Sequence, residues 1–139
     1  MRRLLVLGGA VGLIGGLASA EEKVDPKVLG AGRALYLRHC AACHGSDGKG
    51  GGPAAEALKA AVPDLTRLPQ KDGKLDTDRL RTFIDGTQAA SAHGSREMPV
   101  WGKVFEKTGE KRGAGWAQTD IWTLVRYIAS IQTAETEKK

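Results

Sequence analysis

Most hydrophobic positions of this chain fall at helical spacing. Near the carboxyl end, four apolar residues follow the i, i+3, i+4, i+7 pattern of one buried helical face: Ile121, Leu124, Val125 and Ile128. Thr119 or Asp120 can provide the N-cap of this helix. The sequence shows neither the alternation typical of strands nor an internal repeat. The pattern therefore predicts an all-α fold with long loops.

Two further helices are predicted upstream. The first covers residues 28–43. Three of its residues recur every four positions and share one face: Gly32, Tyr36 and Cys40. The second helix is indicated by Asp76 or Thr77 as N-cap and by Gly86 just past its end. Its apolar residues form a narrow stripe: Leu80, Phe83 and Ile84.

The segments between these helices are rich in glycine, lysine and proline. Residues 45–52 hold five glycines in eight positions, so the backbone must turn there. Pro53 then opens a short alanine-rich helical stretch to about residue 61, and a loop follows as far as residue 75. Another glycine- and lysine-rich loop is predicted just before the last helix.

The first 20 residues have the pattern of a cleaved secretory signal. Arg2 and Arg3 precede an apolar run of 14 residues, and Ala18-Ser19-Ala20 supplies the small residues of a cleavage site. A membrane span needs about 20 apolar residues, so permanent anchoring is the less favoured alternative. We therefore predict cleavage after Ala20, a single domain over residues 21–139, a periplasmic location and no stable membrane insertion after cleavage.

The charge of the predicted mature chain is only mildly basic. Removing two of the 21 basic residues leaves 19 against 16 acidic ones, a net charge of +3. The charges alternate in sign, and no basic cluster is interleaved with aromatic residues. Nucleic acid is therefore excluded as a partner, whereas an acidic protein partner remains compatible with this charge.

The motif Cys40-Ala41-Ala42-Cys43-His44 has the spacing of a covalent haem attachment site. Residues i and i+3 of a helix lie on one face, so both sulfurs can reach one haem edge, and His44 can bind the iron. The alternatives are a zinc site, a simple disulfide and a thioredoxin-like redox pair. The chain has only these two cysteines and no strand before them, which disfavours the zinc and thioredoxin-like readings.

Met98 is the predicted second iron ligand. It is the only methionine of the mature chain, it lies in a loop, and Pro99 can hold that loop rigid. A thioether ligand raises the reduction potential relative to a second imidazole. His93 is the rival ligand, and the remaining alternative is that Met98 merely fills a gap in the core. His39 is expected at the surface.

At these residues the chain resembles a class I cytochrome c of the small bacterial monohaem kind. The resemblance lies in three places: Gly32 and Tyr36 with the motif from Cys40 to Gly45, the run from Met98 to Gly102, and Leu124 with Tyr127. It covers nearly the whole mature length. It implies a few helices wrapped around one covalent haem c, with the last helix crossing the first at Gly32.

The resemblance also implies roles for two further residues. The carbonyl of Pro53 would accept a hydrogen bond from the second ring nitrogen of His44 and so support the iron ligand. Trp101 would either donate its indole N–H to a haem propionate or pack against the haem ring. Trp116 and Trp122 are expected in the core.

These observations point to a periplasmic one-electron carrier with one His44/Met98-ligated haem and no catalytic residues. Its expected partners are redox proteins, and the chain would be a monomer or part of a redox complex. One alternative is the electron-entry subunit of a larger oxidoreductase. Another is a haem enzyme, which would need a displaceable sixth ligand with acid/base groups beside it.

Overall fold

The computed structural model describes residues 23–87, 98–109 and 115–133. Within these ranges the chain forms five α-helices: α1 (Pro26–His39), α2 (Ala41–His44), α3 (Thr77–Asp85), α4 (Trp101–Gly109) and α5 (Trp116–Ser130). A two-stranded antiparallel hairpin joins β1 (Gln70–Lys71) to β2 (Lys74–Leu75). Single 3-10 turns lie at Ala55–Ala57 and Leu65–Arg67. The all-α prediction is confirmed.

Some predicted features fall beyond these ranges. The secretory signal and its cleavage site after Ala20 lie outside the described residues, as does His93. Among the helices that are described, none has the length and apolar character needed to cross a membrane.

The core forms where α5 packs across α1, and α3 and α4 complete it. Tyr36 of α1 and the predicted face of α5 are almost completely buried, together with Phe105 of α4. Gly32 permits the close approach, because a Cβ there would lie 2.5 Å from the Thr123 carbonyl oxygen and 2.7 Å from the Tyr127 Cβ. The rings of Tyr36 and Tyr127 lie 5.3 Å apart. The predicted crossing of the first and last helices is thus confirmed.

Two helices, α1 and α3, begin with an aspartate N-cap. Asp25 caps α1 through a 2.8 Å bond from the Lys27 N–H, and Pro26 occupies the first turn. Asp76 caps α3 as predicted, accepting from the Arg79 N–H at 2.9 Å. The start of α5 differs from the prediction: the helix begins at Trp116, so Thr119 and Asp120 lie inside it and do not cap it.

Four local predictions are wrong. The stretch after Pro53 forms one 3-10 turn in place of a longer helix. A hairpin interrupts the loop before α3, with Asp72 and Gly73 at positive φ of 52° and 70°. The predicted loop after Trp101 contains α4. Finally, two tryptophans expected in the core are exposed: Trp116 by 43% and Trp122 by 37%.

Candidate functional site

Cys40 and Cys43 lie one helical turn apart. Cys40 joins α1 to α2, and its carbonyl accepts bonds from the Cys43 N–H at 3.2 Å and the His44 N–H at 2.9 Å. Both thiols are half-buried and free. Burial, with the nearby Cys43, raises the pKa of the Cys40 thiol to about 12. A redox-active pair relies on a lowered thiol pKa, so this arrangement is unlike a thioredoxin-like site.

His44 is buried, and its ring is oriented by a backbone carbonyl. The Nδ1 atom lies 3.3 Å from the carbonyl oxygen of Pro63. A carbonyl can only accept, so Nδ1 carries the proton and Nε2 keeps its lone pair for a metal. Burial lowers the pKa of His44, although the Pro63 carbonyl opposes this, and the neutral imidazole is the form that binds iron. The prediction that Pro53 provides the acceptor is wrong.

The glycine-rich segment explains why Pro63 reaches His44. After α2 the chain folds back on the helix, and the Gly50 N–H donates to the His44 carbonyl at 2.9 Å. The Leu65 N–H then donates to the Gly48 carbonyl at 2.7 Å. These bonds bring the segment that follows Pro63 beside the motif. Pro53 itself lies exposed near the start of this return.

Tyr36 fixes the residue that follows His44. Its hydroxyl is buried and donates to the Gly45 carbonyl at 2.7 Å. Burial raises the pKa of Tyr36, which keeps the hydroxyl protonated as a donor. The turn after the motif is thereby attached to the α1–α5 crossing. Sequence reasoning identified Tyr36 as a packing residue and missed this hydrogen bond.

We expect Tyr36→Phe to destabilise the protein by about 1 kcal/mol, the net value of one such hydrogen bond. The loss stays modest because the Gly48 N–H also donates to the Gly45 carbonyl, at 3.3 Å. Urea unfolding of the haem-loaded protein measures the change. Tyr127→Phe is the matched control, since the Tyr127 hydroxyl makes no hydrogen bond to another described residue. Equal losses in both variants would contradict the assignment.

Met98 lies three residues before the start of α4 and is 42% exposed. This exposure contradicts the reading of Met98 as a gap-filler in the core. Pro99 follows directly, and Trp101 begins the helix. Ligation by Met98 stays a prediction, and the rival His93 lies outside the described residues.

Trp101 belongs to an aromatic cluster that joins α4 to the end of α1. Its ring stacks on Phe105 with centroids 5.8 Å apart, and the His39 ring meets Trp101 and Phe105 edge-on at 5.4 Å and 5.1 Å. His39 is therefore half-buried, and its predicted surface position is wrong. Both predicted haem contacts of Trp101 stay predictions. The cluster attaches the start of α4, and hence the Met98-Pro99 segment, to the residue before Cys40.

We expect His39 to lower the stability of the protein on the acid side. Burial, followed by Arg38, lowers the pKa of His39, and Asp120 opposes this. Between the lowered folded pKa and the ordinary value near 6.5, the unfolded state binds more protons, so stability falls as pH falls through this window. His39→Phe should show a shallower decline between about pH 7 and pH 5 in urea unfolding. Parallel curves for the two proteins would contradict this.

The donor set fits covalent haem better than zinc. The described residues contain no group of three or more His, Cys, Asp or Glu side chains that could hold a metal ion. What they offer is two adjacent thiols and one neutral imidazole with a free Nε2. A haem attached through both thiols, with the His44 Nε2 as an iron ligand, would use this set completely.

Comparison with known families agrees with this geometry. The family model described as cytochrome c matches residues 29–132, from within α1 to the second residue after the end of α5. No solved structure matched the chain.

Proposed function

The chain belongs to the cytochrome c family, electron-transfer proteins that bind haem c covalently, and we propose that it is a periplasmic one-electron carrier. In this proposal Cys40 and Cys43 hold the haem, and His44 and Met98 are the axial ligands. The observation that carries it is the orientation of His44 by the Pro63 carbonyl, directly after two thiols that lie one helical turn apart.

The protein side of this function is to hold one ligand in the same place in both redox states. When bound, haem supplies an iron centre that gains and loses one electron. Burial shields His44 from water, and the Pro63 carbonyl holds its ring in one tautomer. The Gly50 N–H holds the His44 carbonyl, and the Tyr36 hydroxyl holds the carbonyl of the next residue, Gly45. Little of this frame needs to move when an electron arrives.

Redox titration and ligand binding test the proposal together. We expect a reversible one-electron titration and no binding of carbon monoxide to the reduced protein at neutral pH, because both axial positions are filled. Rapid binding of carbon monoxide or cyanide would favour the haem enzyme with a displaceable sixth ligand. Absence of histidine coordination in the spectra of the reduced protein would contradict the site itself.

Location and assembly need separate experiments. The intact mass of the exported protein should correspond to residues 21–139 plus one haem. Gel filtration of native extract should give a small species in high salt, because salt dissociates transient electrostatic complexes. Comigration with a large oxidoreductase under those conditions would support the subunit alternative and contradict the free carrier.

A further inference from the structure

Gln132 lies just beyond α5 and binds the segment that follows Pro63. Its side-chain Nε2 donates to the Leu65 carbonyl at 2.6 Å and to the Ile128 carbonyl at 2.9 Å. Its Oε1 accepts from the Leu68 N–H at 3.1 Å. The amide thus uses both donors and its acceptor, and it joins two parts of the chain that are more than 60 residues apart.

Neighbouring residues strengthen this contact. The Thr133 N–H and hydroxyl donate to the Thr66 carbonyl at 2.9 Å and 3.0 Å. The Asp64 carboxylate in turn accepts from the Thr66 N–H at 2.8 Å and from its hydroxyl at 2.6 Å. A continuous set of hydrogen bonds therefore runs from the end of α5 to Asp64. Asp64 follows Pro63 directly, so this set reaches the peptide unit that faces His44.

We propose that Gln132 is a positioning residue for the iron ligand. By holding Leu65 and Leu68, it keeps the Pro63 carbonyl within reach of His44 Nδ1. The inference rests on the proposed role of His44 as a ligand and extends it, since it assigns control of that ligand to the carboxyl end of the chain. The Nδ1 to carbonyl distance of 3.3 Å is at the long end for such a bond, so a small shift of the segment weakens it.

The direction of the effect follows from ligand basicity. A hydrogen bond donated by Nδ1 makes the imidazole a more basic ligand, and a more basic ligand favours the ferric iron. Loosening the Pro63 segment therefore raises the reduction potential. It also exposes the Nδ1 proton to exchange with water.

The test compares haem-loaded wild type with Gln132→Met, which keeps the side-chain length and removes its hydrogen bonds. Ser130→Ala is the matched control at the same helix end, because among the described residues the Ser130 hydroxyl bonds only within α5, to the Tyr127 carbonyl. We expect Gln132→Met to shift the one-electron equilibrium about threefold towards the reduced state, roughly 30 mV at 59 mV per tenfold change. Exchange of the His44 Nδ1 proton, followed by NMR, should accelerate at least fivefold. Ser130→Ala should change neither.

Thr133→Val provides a milder second variant, since it removes one hydroxyl bond and keeps the backbone bond to Thr66. It should shift both readouts in the same direction by less. A loss of stability in Gln132→Met with unchanged potential and unchanged exchange would overturn the proposal and leave a purely structural role. Wild type lacking His44 coordination would overturn the proposed function, and the positioning role with it.

Discussion

Gly32→Ala is expected to destabilise the folded protein by about 3 kcal/mol, the upper part of the usual range for overpacking a core. The new Cβ would lie 2.5 Å from the Thr123 carbonyl oxygen and 2.7 Å from the Tyr127 Cβ. Both atoms belong to the α5 frame and cannot rotate away, so the two helices must separate. Separation also loosens the packing of Tyr36 against Tyr127 and, through the Tyr36 hydroxyl, the turn after His44.

Gly30→Ala is the matched control, in the same helix two residues away. A Cβ at Gly30 meets nothing within 4 Å, so this variant should gain about 0.5–1 kcal/mol from the higher helix propensity of alanine. Urea unfolding of both haem-loaded variants measures the two changes. Loss of stability at both positions, or at neither, would contradict the crossing geometry as the cause.

The helix crossing could be predicted because it depends on periodicity. The spacing of four apolar residues specifies one face of α5 independently of the loop conformations. These side chains are buried in the structure: Ile121, Leu124, Val125 and Ile128. Gly32 and Tyr36 share a face of α1 for the same reason. Cys40, Cys43 and His44 could be identified as site residues from the sequence because their chemistry depends only on local spacing.

The support for His44 could not be predicted from local pattern. The five glycines after the motif allow many backbone directions, so the number of residues to the next proline does not indicate which carbonyl returns to the ring. That choice depends on tertiary hydrogen bonds, such as the one from Leu65 to Gly48 and those from Gln132. Pro63 was therefore identified only from the structure.

Other features that were predicted wrongly do have local signals in the sequence. Asp72-Gly73 between two lysines is a typical two-residue hairpin turn, but strands of two residues are too short to show alternation. In α4, Trp101, Val104 and Phe105 have helical spacing, which the flanking glycines and lysines obscured. Trp122 lies exposed beside the guanidinium of Arg81, 5.8 Å from its ring centroid, so a large aromatic residue need not mark the core.

The exposure of Met98 sharpens the expectation for the second ligand. A side chain that is 42% exposed contributes little to the apolar core, so its removal should cost little stability. Its position is nevertheless constrained, because Pro99 follows it and Trp101 attaches the start of α4 to His39. Stability and iron ligation can therefore be separated in one variant.

Met98→Ala is expected to abolish the far-red absorption band of sulfur-to-ferric-iron charge transfer and to lower the reduction potential by on the order of 100 mV, within the roughly 0.8 V range that axial ligands set. The reduced variant should bind carbon monoxide, since the sixth position opens. The free energy of unfolding should change by less than about 1 kcal/mol, the usual limit for a partly exposed side chain.

Two control variants separate ligation from disturbance of the loop. Lys103→Ala, an exposed change in the first turn of α4, should leave the band, the potential and carbon monoxide binding unchanged. His93→Ala should also leave them unchanged, because the rival imidazole is not a ligand in this proposal. Survival of the band in Met98→Ala, or its absence from the wild type together with carbon monoxide binding in His93→Ala alone, would refute Met98 ligation. The first outcome would reopen the choice of sixth ligand, and the second would assign it to His93 and predict a lower potential for the wild type.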